Sequence, residues 1–156
     1  MARLHETVET KLPADQAFAF IADFSNSERW DPGTAWSKPV KDPTPRIGAA
    51  YLLGVRMGGR VAPMTYEIVA LEPGERVILR GSGSNVSAVD DIKFSSTPTG
   101  TLITYTADIE LTGLLRLAAP FTGRAFASIA RNARDGMQRA LDELARVSQP
   151  VGESVA

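Results

Sequence analysis

The sequence contains no cysteine and only one histidine, His5. Without cysteine there is no disulfide, no thiolate nucleophile and no cysteine-bound zinc. One histidine rules out a histidine-cluster metal centre and leaves a Ser-His-Asp triad a single base, on an N-terminal strand. No apolar run approaches the ~20 residues of a membrane-spanning helix. The start, MARLHETVETK, lacks the apolar core of a signal peptide, so a cytoplasmic protein is expected. Excess charge is also missing: 17 Lys and Arg against 18 Asp and Glu leave a net charge of −1. That gives no electrostatic reason to expect a nucleic-acid partner. Catalysis by this chain alone would rest on carboxylates, tyrosines, arginines, lysines or water. Neither a metal nor an organic cofactor is expected.

What is present suits one globular domain. A chain of 156 residues with 44% hydrophobic and 22% charged residues buries roughly 70% of its unfolded surface. Residues 3–10 alternate as a strand, with Leu4, Glu6, Val8 and Thr10 on one face. Pro13 opens a helix whose stripe is Ala17, Phe20, Ile21 and Phe24. A second short helix, SNSERW, stops before Pro32, because the residue before proline avoids helical angles. Residues 34–48 read as a loop with one edge strand. Alternating runs follow in AAYLLGVRM, RVAPMTYEIVAL, RVILRG, VSAVDDIKF and TLITYTADIEL. Between them lie the turn signals Gly58–Gly59, EPGE, SGSN and TPTG, the rhythm of an antiparallel meander. From Leu114 to about Val147 the period becomes helical, with Pro120 as a kink or restart. Phe126, Ile129, Ala130, Ala133, Met137, Ala140, Leu141 and Leu144 form its apolar stripe. Opposite them, Arg131, Asp135 and Arg139 alternate in sign, as on a solvated face. Residues 149–156 are expected to be a flexible tail after a single domain, 1–148.

The fold class expected is α+β. A curved antiparallel sheet of about six or seven strands wraps a long C-terminal helix, and two short helices follow the first strand. A straight helix laid across a curled sheet cannot touch it everywhere, so a cavity is expected between them.

Three stretches carry a family resemblance: LPADQAFAFIADFSNSERWDPG (12–33), YEIVALEPGERVILRG (66–81) and DDIKFSSTPTGTLITYTADIELTGLLRLAAP (90–120). They resemble the bacterial polyketide cyclase/dehydrase and lipid-transport group of the START-like (SRPBCC) superfamily, whose fold is the helix grip. The resemblance implies binding of lipids, polyketides or other hydrophobic molecules, with enzymes among only some members. It supplies no invariant catalytic motif, so it transfers no catalytic residue.

Within VSAVDDIKF, strand parity puts Val86, Ala88, Asp90, Ile92 and Phe94 on one face. Asp90 thus interrupts an apolar face, and in an apolar cavity its pKa would rise, suiting a general acid, a base or a hydrogen-bond anchor. The bland reading is an open strand end, and a one-residue register shift would exchange it for Asp91. Tyr51, Tyr66 and Tyr105 share inward parity on three strands; they line a pocket or fill core volume. Trp36 is a candidate for the pocket mouth. Phe121, Ser128 and Asn132, beside the main helical stripe, are candidates for the helix side of the cavity. Arg56 and Arg60 flank a hairpin turn and belong in solvent.

The expected function is binding of a small hydrophobic ligand between sheet and helix. The alternative is a cyclase or dehydratase that uses Asp90 beside a carbonyl. A third reading is a partner-binding module with a collapsed cavity. Oligomerisation is not predicted.

Overall fold

A computed structural model of the protein describes residues 2–121 and 123–148, with side chains described for 2–117 and 124–148. The expected tail, 149–156, lies outside the described residues. Seven strands form one antiparallel sheet in the order β1-β7-β6-β5-β4-β3-β2. They are β1 Ala2–Thr10, β2 Thr34–Pro39, β3 Ala50–Met57, β4 Arg60–Glu72, β5 Arg76–Ser82, β6 Val86–Thr97 and β7 Gly100–Leu111. The order is a meander from β2 to β7, and β1 returns to pair with β7. Helix α1, Ala14–Ala22, a 3-10 turn at Phe24–Asn26 and helix α2, Ser27–Trp30, link β1 to β2. After β7 the chain runs through a 3-10 segment, Gly113–Phe121, into α3, Gly123–Ser148. Pro120 therefore lies within the 3-10 segment that precedes α3 rather than kinking an α-helix.

The alternation of each strand sorts its residues between core and solvent. On β6, Val86, Ala88, Asp90, Ile92 and Phe94 are buried. Asp91, on the other face, takes a bidentate hydrogen bond from Arg76 at 2.9 and 2.6 Å. The register on β6 is thus settled, with Asp90 inside and Asp91 outside. Two elements cover the inner face. Helix α1 buries Ala17, Phe18, Phe20 and Ile21 at one end, where Phe18 meets Phe94 edge to face. Helix α3 lays Ala130, Met137, Leu141 and Ala145 along the other side, chiefly over β1.

Two irregularities re-aim side chains. The β2–β3 register shifts between Thr34 and Trp36, so Thr34 is buried while Trp36 lies on the outer face over Gly54. The β4–β5 register shifts between Ile68 and Ala70. Such bulges bend a strand and raise its local twist, which helps curl the sheet around α3.

Candidate functional site

Where α2, α3 and the middle of the sheet fail to meet, a cavity of about 120 Å³ remains. Its apolar wall includes Leu4, Val8, Leu53, Val55, Ile109 and Met137, joined by the aromatic residues Phe24, Trp30, Tyr66 and Tyr105. These rings form a continuous surface. Trp30 contacts Phe24 and Tyr105 edge to face, and Phe24 is tilted against Tyr66, with centroids 5.4–6.1 Å apart. Tyr66 can turn its ring over β5 because its register partner is Gly81, where a Cβ would stand 2.6 Å from the ring.

Polar groups break this wall at a few points. Asp90 is 4% exposed, and the Tyr105 hydroxyl donates to its Oδ2. The two residues sit on adjacent strands, where Ile92 faces Tyr105 and Asp90 faces Ala107. Burial pushes the Asp90 carboxyl from 3.8 up to about 7; the Tyr105 hydrogen bond opposes the shift, and the nearby charge of Asp31 adds to it. Burial also pushes the Tyr105 and Tyr66 hydroxyls well above their ordinary value, so both phenols keep their protons. Asp31 follows α2 and closes an Asx-type turn. Its Oδ1 accepts from the Gly33 N–H at 2.8 Å, and its Oδ2 accepts from the Thr34 hydroxyl at 3.1 Å. Burial raises its pKa against those two bonds. Ser27 Oγ and Trp30 Nε1 are buried in the cavity wall with no hydrogen-bond partner among the described residues. Glu6 and Arg134 complete the lining, with their ionic groups 3.9 Å apart and both partly exposed. Arg134 also donates to Asp135 at 2.7 Å.

Tyr105 is the one described hydroxyl shown holding Asp90, and its bond favours the ionised carboxylate. Tyr105→Phe should therefore raise the Asp90 midpoint by about 1 pH unit, since hydrogen bonds to charged groups contribute roughly 1.5–3 kcal/mol. Carboxyl carbon NMR titration measures it; an unchanged or lower midpoint would show that the hydroxyl does not act on this group.

Of the residues singled out in the sequence, Asp90, Tyr66 and Tyr105 come together in the lining. Tyr51 does not. It is fully buried beside Phe24, and its hydroxyl donates to the Pro43 carbonyl at 2.9 Å, so it fills core. Trp36 is 39% exposed on the outer face, under the Lys38 ammonium, because the β2 bulge turns it away from the cavity. Ser128 is half-buried and Asn132 exposed, and neither lines the cavity. The helix offers its apolar stripe instead, through Ile129, Ala130, Ala133 and Met137. The Phe121 side chain lies outside the described residues. The sequence reading passed over Asp31 and Arg134. An aspartate before Pro-Gly looks like a turn former, and an arginine on an amphipathic helix looks solvated. Glu6 shares its β1 face with Leu4 and Val8, as strand alternation places it, and stands half-buried in the lining.

No group of three or more histidines, cysteines and carboxylates suited to a metal ion occurs among the described residues. No described helix is long and apolar enough to cross a membrane.

Comparison with known proteins adds the following. The family described as "Polyketide cyclase / dehydrase and lipid transport" matches residues 1–149. No curated protein matches the chain. Solved structures with the same fold include the Zhui aromatase/cyclase from Streptomyces sp. R1128 (TM-score 0.72, 14% identity, 93% of each chain covered). A START superfamily protein from Mycobacterium smegmatis aligns with TM-score 0.69 and 16% identity, over 93% of this chain and 97% of that one. A protein from Thermus thermophilus aligns with TM-score 0.72 and 12% identity, over 94% of this chain and 100% of that one. At these identities the likeness shows the fold alone, and the fold is START-like.

Proposed function

Because the chain belongs to the polyketide cyclase/dehydrase and lipid transport family, we propose that it binds a small, largely apolar molecule in the cavity between the sheet and α3. The observation that carries the reading is the lining itself: apolar and aromatic residues surround a buried Asp90–Tyr105 pair, with Asp31 near it. Ligand sites combine apolar walls with a few placed polar groups in this way. Burial of guest surface supplies roughly 25 cal/mol per Å², before the costs of association.

Size narrows the guest. The space is about 120 Å³, close to the 150 Å³ cavity that admits one benzene. A single ring or a short branched chain fits the cavity as it stands. A folded poly-ketone, several times larger, requires α3 to move away from the sheet. Native mass spectrometry of protein purified from cells, followed by a screen of small apolar compounds, tests the reading. Retention or saturable binding that is lost when Ala88→Phe fills the cavity supports it. Binding of no compound overturns it.

A second reading, an enzyme of the cyclase or dehydratase type, draws on one observation. Asp90 is buried in the cavity wall beside Tyr105, and burial pushes its carboxyl up to about 7, where a general acid or base works best at neutral pH. Under that reading Asp90 exchanges a proton beside a bound carbonyl, and the cavity holds the substrate in a reactive fold. Turnover would vanish in Asp90→Asn while binding survives.

A further inference from the structure

The charged groups that line the cavity are unevenly divided. Among the described residues, three carboxylates, Glu6, Asp31 and Asp90, face one cation, Arg134. Arg134 stands at the rim, already shared between Glu6 and Asp135. Neither the buried Asp90 nor the half-buried Asp31 forms an ion pair among the described residues. Those acids are close enough that the charge of Asp31 raises the pKa of Asp90. The same lining holds the neutral phenols of Tyr66 and Tyr105, the rings of Phe24 and Trp30, and the hydroxyls of Ser27 and Thr34.

Carboxylates beside aromatic faces make a receptor for an organic cation: the ring faces attract positive charge, more strongly when it is desolvated. A buried carboxylate is costly until an opposite charge meets it. We propose that the guest of this cavity is a small amine, bound as its ammonium between Asp31 and Asp90 against the wall of Phe24, Trp30, Tyr66 and Tyr105. The proposal rests on the binding reading above and adds the chemical class of the guest. Competing chemistry is present in the same wall. The unpartnered Trp30 Nε1 and Ser27 hydroxyl would suit an acceptor oxygen, so a neutral alcohol of the same shape is the proper control.

Isobutylamine and isobutanol have the same shape and size, and each fits the space. Binding of both to the full chain is followed by protein NMR shift changes between about pH 5.5 and about pH 8.5. The amine keeps its proton throughout this range, while Asp90 changes from neutral to ionised. The expected result is that the amine binds about tenfold tighter than the alcohol at the upper pH, a difference of about 1.4 kcal/mol. Its affinity should rise with pH through about 7, and the alcohol's should not. Asp90→Asn should remove most of both the preference and the pH dependence. Asparagine matches the shape of Asp90 and keeps an acceptor for Tyr105, and the wild-type pH profile is an independent readout. Equal or tighter binding of the alcohol, or an amine affinity flat with pH, overturns the amine assignment and leaves the binding reading standing. Saturable binding of neither compound overturns both.

Discussion

Replacing Asp90 by asparagine should make the protein more stable at alkaline pH, by as much as about 4 kcal/mol near pH 8. The Asp90 carboxyl has a pKa of about 7 in the folded chain against an ordinary 3.8. The folded state therefore holds this proton more tightly than the unfolded state does. Its stabilising effect is complete below about pH 4 and is lost as pH rises through about 7. Asparagine has no proton to lose, so the variant escapes that fall. One cost opposes the gain: the new amide N–H groups need acceptors, and one left unpaired removes about 1–3 kcal/mol. The cavity beside them is large enough for a water molecule. Urea unfolding of both proteins at about pH 5 and about pH 8 measures the effect. Comparing the two proteins cancels other titrating groups, such as Asp108, whose pKa is lowered by Arg3. Part of the slope should persist in the variant, since the Asp31 pKa is also raised by burial. Parallel pH profiles for the two proteins would show that Asp90 is already solvated or paired. The proposed proton chemistry at this position would then lose its basis.

The second large effect is expected from Gly136→Ala. Gly136 lies in the interior of α3, where a Cβ would overlap the Trp30 carbonyl oxygen and press on Pro32 Cδ at 3.0 Å. Those atoms belong to the end of α2 and the turn that carries Asp31. They are backbone and ring atoms, which cannot swing aside as a flexible side chain can. Alanine favours a helix over glycine by about 1 kcal/mol. Against that, forcing two packed backbones apart costs roughly 1–3 kcal/mol, occasionally more. The steric cost should win, lowering Tm by about 2–6 °C for a chain of this size. The same shift moves Trp30 and Asp31 off the cavity wall, so guest binding should weaken more than stability does. Thermal unfolding and ligand titration of the same preparation separate the two effects. Arg139→Ala, at an exposed position of the same helix, is the control and should change little. A Gly136→Ala protein as stable as wild type would mean that α3 and α2 are less tightly seated than the structure shows.

Much of this molecule is legible in its sequence because strand parity is a local rule. Once VSAVDDIKF is a strand, Asp90 has to share a face with Ile92 and Phe94, and the same rule turns Tyr66 and Tyr105 inward. Parity is lost where the ladder is irregular. Thr34 and Trp36 are two residues apart and should share a face; the bulge between them puts one in the core and the other in solvent. Parity also says nothing about depth. Tyr51 points inward as the other two tyrosines do, yet it packs beside Phe24 and donates to Pro43 instead of meeting a guest. On α3, where the period is 3.6 residues, the choice between the apolar stripe and its flank depends on how the helix is rolled against β1. Ser128 and Asn132 fell on the wrong side of that choice.

Composition and periodicity alone determined the α+β class, the antiparallel meander, the long closing helix and the inward position of Asp90, since each follows from contacts between near neighbours or from side-chain period. The tertiary structure decided which groups meet. Asp31 comes from a turn, Trp30 from a four-residue helix, Tyr105 from the seventh strand and Arg134 from the last helix, and no spacing in the chain records that they converge. Their convergence depends on how far the sheet curls and how closely α3 approaches at Gly136. Both are set by the packing of residues far apart in the chain.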